Sequence, residues 1–193
     1  LVIMQPIVKA RFEQFSDGVF AIAITLLAIE LHAPAVVSTN IVHAIRDLAP
    51  FVPSIATFVI SFVTIAIFWV NHHQMTAMIQ TIERRRILWA NIFLLLFVTL
   101  IPFVTQAASI DPLNPTRMVG YSLVFFGGSV SFSFVRYFIH RSIGESHIPM
   151  RRSLFGPIMY LLAACVALVS PTACYFLLAV TALYYFLPKS HKA

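Results

Sequence analysis

Charge is the first thing this sequence lacks. Only 10% of its 193 residues are Asp, Glu, Lys or Arg, against about 25% in an average soluble domain, which excludes a water-soluble globule. Glycine is scarce as well, at six residues. With a mean hydropathy of +0.89, that scarcity excludes disordered, collagenous and low-complexity chains, which are polar or Gly/Pro-dominated. The two cysteines, Cys165 and Cys174, lie in apolar runs and read as small buried hydrophobes; they offer neither a disulfide scaffold nor a thiolate metal cluster. Acids number seven, nearly all near helix ends. No Gly-rich phosphate loop, His-Glu-x-x-His helix or pair of intramembrane aspartates is present, and no Ser-x-Gly pattern has the context a nucleophile needs. The expectation is a protein that is not an enzyme and holds no cofactor or metal.

What the sequence has is apolar length. Hydrophobic residues make up 60% of it, and a helix needs about 20 mostly apolar residues to cross a bilayer. Six such segments stand between charged or Pro-rich breaks: 12–32, 50–73, 87–107, 118–139, 154–170 and 172–187. The expected fold is therefore an all-α integral membrane protein of six transmembrane helices. The last two segments are short and divided only by Ser170-Pro171, so they read as separate spans or as a re-entrant hairpin. No internal repeat is visible, and residues 1–193 read as one domain. The longest connection, 33–49, has room for a short interfacial helix near 41–48. Leu1 to Ala10 lacks a small-residue cleavage site and is not read as a signal peptide.

A net charge of +6 raises the question of nucleic acid, and the placement of the basic residues answers it. With the N-terminus cytoplasmic, that side receives Lys9, Arg11, Arg84, Arg85, Arg86, Arg136, Arg141, Arg151, Arg152, Lys189 and Lys192, while Arg46 and Arg117 fall outside. This is a positive-inside pattern. Basic residues beside anionic headgroups account for the charge without nucleic acid. An even number of spans returns the C-terminus to the cytoplasm, consistent with a multi-pass protein of the cell's inner, plasma membrane.

Polar side chains at membrane depth are costly, so they mark candidate functional positions. On the first helix, at about 100° per residue, Phe15, Gly18, Ile22, Thr25, Leu26 and Ile29 share one face, while Asp17, Phe20, Ile24, Leu27 and Leu31 share the other. Bulky apolar groups on both faces, with an acid at one end, suggest a central helix whose Asp17 points into its own bundle. There it needs a partner such as Arg11 or a histidine. The bland alternative is a helix N-terminus whose carboxylates favour the dipole.

His72 and His73 close the second helix near the level of Asp17. Adjacent helical residues point about 100° apart and do not readily share an ion, so a pair of hydrogen-bonded interfacial side chains competes with a metal reading. The other histidines, at 32, 43, 140, 147 and 191, fall in or near loops. Val119-Gly120-Tyr121 fails as a carbonyl filter: Met118 and Ser122 flank it where threonine and glycine are required, and no pore helix precedes it. Asn91, Thr99, Thr105, Ser129, Ser131 and Ser133 read as packing contacts between helices.

Arg11-x-x-x-Phe15-Ser16-Asp17, followed by Ala-Ile-Ala-Ile-Thr-Leu-Leu, resembles the signature of the transmembrane protein 175 family of potassium channels in its prokaryotic single-repeat form. Trp69-x-x-His72-His73, Asn91 and Leu100-Ile101-Pro102-Phe103 extend the resemblance, which covers about the first 105 residues by motif and the rest by span count. It implies a potassium channel without a carbonyl filter, less permeable to other monovalent cations. Homotetramers of six-helix chains would line their pore with the first helices. On this resemblance Ile22 forms the apolar constriction, Leu26 and Ile29 the next layers, and Thr25 the pore-helix threonine; some relatives carry leucine where Ile29 stands. The polar network that fixes the first helix maps onto Arg11, Ser16 and Asp17, and onto His72 or His73. The partners implied are other copies of the chain, membrane lipid and permeant monovalent cations. Two other readings are a proton-coupled secondary transporter that uses Asp17 and His73 as a relay, and a structural membrane subunit without flux.

Overall fold

The computed structural model describes residues 7–32, 46, 48, 51–82, 85–144 and 150–186. The described elements are, in order, β1 (Ile7–Val8), α1 (Lys9–Ile29), α2 (Val52–Thr76), β2 (Thr81–Ile82), α3 (Arg85–Ile110), α4 (Pro115–Ser142), α5 (Met150–Ala167) and α6 (Pro171–Phe186). Among the described residues the fold is thus all-helical apart from a two-residue antiparallel ladder. Helices α1 to α4 are long and apolar enough to cross a membrane. The interfacial helix expected over 41–48 lies outside the described residues except for Arg46 and Leu48, as do His43, Arg84, His147, Lys189, His191 and Lys192.

Helix ends follow local chemistry. Asn114 caps α4 by accepting hydrogen bonds from the N–H groups of Thr116 (3.1 Å) and Arg117 (3.3 Å). Pro115 supplies a fixed φ where no intrahelical donor is needed, so α4 starts three residues before the apolar run. Ser170 accepts from the Ala173 N–H at 3.3 Å and starts α6 in the same way. Pro157, inside α5, cannot donate to the Ser153 carbonyl one turn back. Ser133 of α4 donates to that carbonyl at 2.8 Å, which satisfies it where no water is available.

Helices α5 and α6 have 18 and 16 residues, about 27 and 24 Å at 1.5 Å per residue. They form an antiparallel pair. Phe155 near the start of α5 meets Tyr184 near the end of α6, with ring centroids 4.1 Å apart, and the Gly156 N–H donates to the Tyr185 hydroxyl at 3.0 Å. At the other end Cys174 of α6 sits 3.3 Å from the Ser122 hydroxyl of early α4. The pair is thus two separate helices, with α5 packed along α4.

Helices α3 and α4 approach closely at Gly127 and Gly128. A Cβ on Gly127 would overlap the Phe97 ring, and one on Gly128 would lie 3.3 Å from the Phe68 ring, as expected where small residues let membrane helices meet. A belt of hydroxyls crosses the core nearby. Ser61 Oγ lies 2.7 Å from both Thr105 Oγ1 and the Tyr121 hydroxyl, and Thr57 Oγ1 lies 2.7 Å from the Tyr175 hydroxyl. Each of these groups has a partner, so the belt joins α2, α3, α4 and α6 at no desolvation cost beyond that already met. Tyr121 is fully buried within α4, in a helix rather than a filter loop. Of the other hydroxyls, Thr99, Ser129 and Ser131 bond back to their own helices.

Helix α1 packs against α2 and α3 and lies at the margin of the chain. The expectation of a helix central within its own bundle is corrected: apolar residues on both faces suit a helix covered on one side by its own chain and open on the other. The β1–β2 ladder, with Ile7 opposite Ile82 and Val8 opposite Thr81, ties the start of α1 to the connection between α2 and α3.

Candidate functional site

Of the second stripe expected on α1, Phe20 and Leu27 are buried while Asp17, Ile24 and Leu31 are half-buried. The buried face is Phe12, Ser16, Phe20, Ala23 and Leu27, a recurrence of three and four residues. On the other side Phe15, Gly18, Ile22, Thr25, Leu26 and Ile29 are uncovered, with Ile22 61%, Leu26 40% and Ile29 70% exposed. Thr25 Oγ1 is satisfied by the carbonyls of Ala21 (3.1 Å) and Ile22 (2.9 Å), so this polar side chain stands on the stripe without needing a neighbour.

A chain of buried hydrogen bonds sets which stripe faces in. His72 Nε2 lies 2.8 Å from Asn91 Oδ1, Asn91 Nδ2 donates to Ser16 Oγ at 3.0 Å, and Ser16 Oγ donates to the Phe12 carbonyl at 3.0 Å. Because an amide oxygen only accepts, Nε2 carries the proton. The His72 ring is walled by Phe12 (centroids 5.9 Å apart, stacked) and Phe20 (5.6 Å, tilted). Helices α1, α2 and α3 are therefore pinned at one level by groups that are each at most 2% exposed, where a change of partner would strand a desolvated donor.

Asp17 takes a different partner from the one expected. Its Oδ1 accepts from the Trp69 indole N–H at 2.9 Å. Arg11 is exposed, and among the described residues no ion pair joins it to Asp17; the acid on that helix that is paired is Glu13, 3.7 Å from Lys9 Nζ. The pairing of Asp17 with Arg11, Ser16 or His73 is thus corrected. Arg11 and Asp17 are six residues apart, about 120° from alignment on a helix, and the Ser16 hydroxyl is committed to Phe12. His73 is exposed and stacks on Trp69 with centroids 6.1 Å apart, so of the two histidines His72 enters the buried network. Trp69 thus contacts both Asp17 and His73.

Two contributors were noted in the sequence as motif positions but not assigned to the network: Asn91 and Trp69. Their signal was available, since a side-chain amide within an apolar run must find partners when buried and an indole N–H has a single donor to place. Among the described residues no three His, Cys, Asp or Glu side chains gather as metal ligands. The arrangement can do one thing: hold α1 at a fixed rotation, with an apolar, threonine-bearing stripe turned away from its own chain.

Comparison with known proteins adds the following. The family model described as endosomal/lysosomal potassium channel TMEM175 matches residues 11–102. A potassium channel of Chamaesiphon minutus is 30% identical over 174 residues, 83% of this chain and 84% of that one. An endosomal/lysosomal proton channel TMEM175 of Danio rerio is 33% identical over 114 residues, 56% of this chain and 22% of that one. The crystal structure of a lysosomal potassium-selective channel TMEM175 homolog from Chamaesiphon minutus matches with a TM-score of 0.80 at 30% identity, covering 92% of this chain and 96% of that one.

Proposed function

This chain belongs to the TMEM175 potassium-channel family, and from that premise we propose that it forms a potassium-selective channel whose pore lies between copies of the chain, lined by α1 and narrowed at Ile22. The observation that carries the proposal is the uncovered stripe of Ile22, Thr25, Leu26 and Ile29 on a helix whose opposite face is locked. One chain has no conduit along that stripe. Cyclic symmetry supplies one by turning identical stripes toward a common axis, and four copies is the number the family resemblance implies.

In such a pore the constriction works without carbonyl ligands. A ring of isoleucines at position 22, about 140° around the helix from Asp17, offers an ion no replacement for its water. Narrow apolar rings gate by dewetting. A weakly hydrated ion such as potassium gives up part of its shell at less cost than the smaller sodium, which sets the order of permeation. Leu26 and Ile29, one and two turns on, continue the barrier, and the Thr25 hydroxyl softens it. Asp17, bonded to Trp69, serves structure rather than ion binding, and Arg11 stays at the helix entrance among the basic residues. The ion is cargo, and the channel calls for no catalytic step and no cofactor.

Residues 1–193 act as a single channel domain with copies of itself and lipid as partners, and no nucleic acid. Lys9, Arg11, Arg85, Arg86, Arg136 and Arg141 gather at one end of the helices. By the positive-inside rule that end is cytoplasmic, with both termini there, in the plasma membrane. The test is the reversal potential of the purified protein in liposomes. A potential that follows the potassium gradient with no proton gradient imposed supports the channel. Slow flux that requires a proton gradient would favour the transporter, although Asp17 bonds to the Trp69 indole and not to His73, and absence of flux would leave a structural subunit.

A further inference from the structure

The outer surface of α3 and α4 carries a groove that the conduction pathway does not use. It is an open groove with room for about 560 Å³, and its walls are aromatic: Trp89 and Phe93 from α3, Phe134 and Phe138 from α4. Trp89, Phe93 and Phe134 are each more than half exposed, and Phe134 stacks on Phe138 with centroids 6.4 Å apart. Arg85 and Arg86 line the same groove at its basic end, where α3 begins. Both are exposed, and among the described residues no carboxylate lines the groove.

The dimensions match one membrane leaflet. From Arg85 to Phe93 is eight residues, about 12 Å of rise, against about 15 Å for half of a 30 Å hydrocarbon core. Two guanidiniums at headgroup level stand above an aromatic trough that runs inward at acyl-chain depth. The positive end of the α3 dipole adds to the attraction for an anion at that mouth.

We propose that this groove is a binding site for an anionic glycerophospholipid of the surrounding leaflet, with its phosphate on Arg85 and Arg86 and an acyl chain along Trp89, Phe93 and Phe134. Charge complementarity selects this occupant over the alternatives. A zwitterionic lipid carries its own cation to the same place. At that level a second copy of the chain offers, among the described residues, Glu13, already paired with Lys9, and Asp17, held against Trp69 in its own chain. Basic residues beside a membrane attract anionic lipid by roughly fivefold each, about 30-fold for two. The site is independent of the conduction reading and stands or falls on lipid occupancy alone.

The test reconstitutes the full chain in phosphatidylcholine vesicles that contain, over matched series of mole fractions, either brominated phosphatidylglycerol or brominated phosphatidylcholine, and reads the quenching of Trp89. Its emission is isolated as the difference from Trp89→Phe, which leaves Trp69. Half-quenching is expected at about 30-fold lower mole fraction of the anionic lipid than of the zwitterionic one, with the excess lost in Arg85→Gln/Arg86→Gln. Equal quenching by the two lipids would overturn the proposal, since it would mean ordinary boundary lipid. Quenching of Trp89 by neither lipid would overturn it too, since the groove would then be covered by another chain.

Discussion

Asn91→Leu removes the middle of the buried hydrogen-bond chain with little change of volume. The Ser16 hydroxyl still donates to the Phe12 carbonyl, so its loss is small. His72 keeps its proton with nothing to receive it, at 1% exposure between the Phe12 and Phe20 rings. Two magnitudes compete. Interhelical hydrogen bonds in membranes average only ~0.6 kcal/mol because the unfolded chain also finds partners, whereas an orphaned buried donor costs ~1–3 kcal/mol. The rings around His72 admit neither water nor headgroup, so the second governs, and Asn91→Leu should cost ~1–3 kcal/mol. His72→Phe/Asn91→Leu removes donor and acceptor together and should recover most of that loss, since replacing both partners by apolar groups is nearly neutral. Reversible unfolding of the single and double variants in mixed detergent micelles measures the coupling. A double variant whose cost equals the sum of the single costs, or a single variant as stable as the parent, would refute the reasoning.

Trp69→Phe should lower the yield of assembled channel, because it strips the Asp17 carboxylate of a partly exposed hydrogen bond worth ~0.5–1.5 kcal/mol; Arg11→Ala should change stability by no more than ~0.5 kcal/mol, both read by size-exclusion profile and thermal melt. Gly127→Ala should destabilise by ~1–3 kcal/mol through overlap with the Phe97 ring. Gly120→Ala on the same helix, where a Cβ meets nothing within 4 Å, should raise stability by ~0.5–1 kcal/mol; the two melts are read side by side. Leu26→Ala should raise single-channel conductance by widening the second apolar layer, but less than a polar substitution at Ile22.

Much of the fold was legible because apolar length announces membrane helices: each expected segment overlaps one helix, and four of those helices are long and apolar enough to cross a membrane. Boundaries differed where capping outweighed hydropathy, as at Asn114 and Pro115. The two-residue β1–β2 ladder left no periodic signal, since Ile7-Val8 and Thr81-Ile82 are too short to alternate. The uncovered stripe of α1 was readable from the wheel alone. Its position in the chain was not, because apolar side chains look alike whether they meet their own bundle, lipid or another copy. The need of Asp17 for a partner was legible as well, and the identity of that partner was not. Trp69 is 52 residues away, and only tertiary packing brings its indole there, whereas Arg11 is near in sequence and on the wrong side of the helix.

The most direct measurement is thiol accessibility at Ile22, the proposed constriction. The Ile22→Cys protein in liposomes, exposed to a water-soluble methanethiosulfonate during potassium flux, should lose or sharply change its current, while the parent with its native Cys165 and Cys174 stays unaffected under the same reagent. Normal assembly of Ile22→Cys with no modification from the aqueous phase and unchanged potassium current would take Ile22, and the stripe it belongs to, out of the pore.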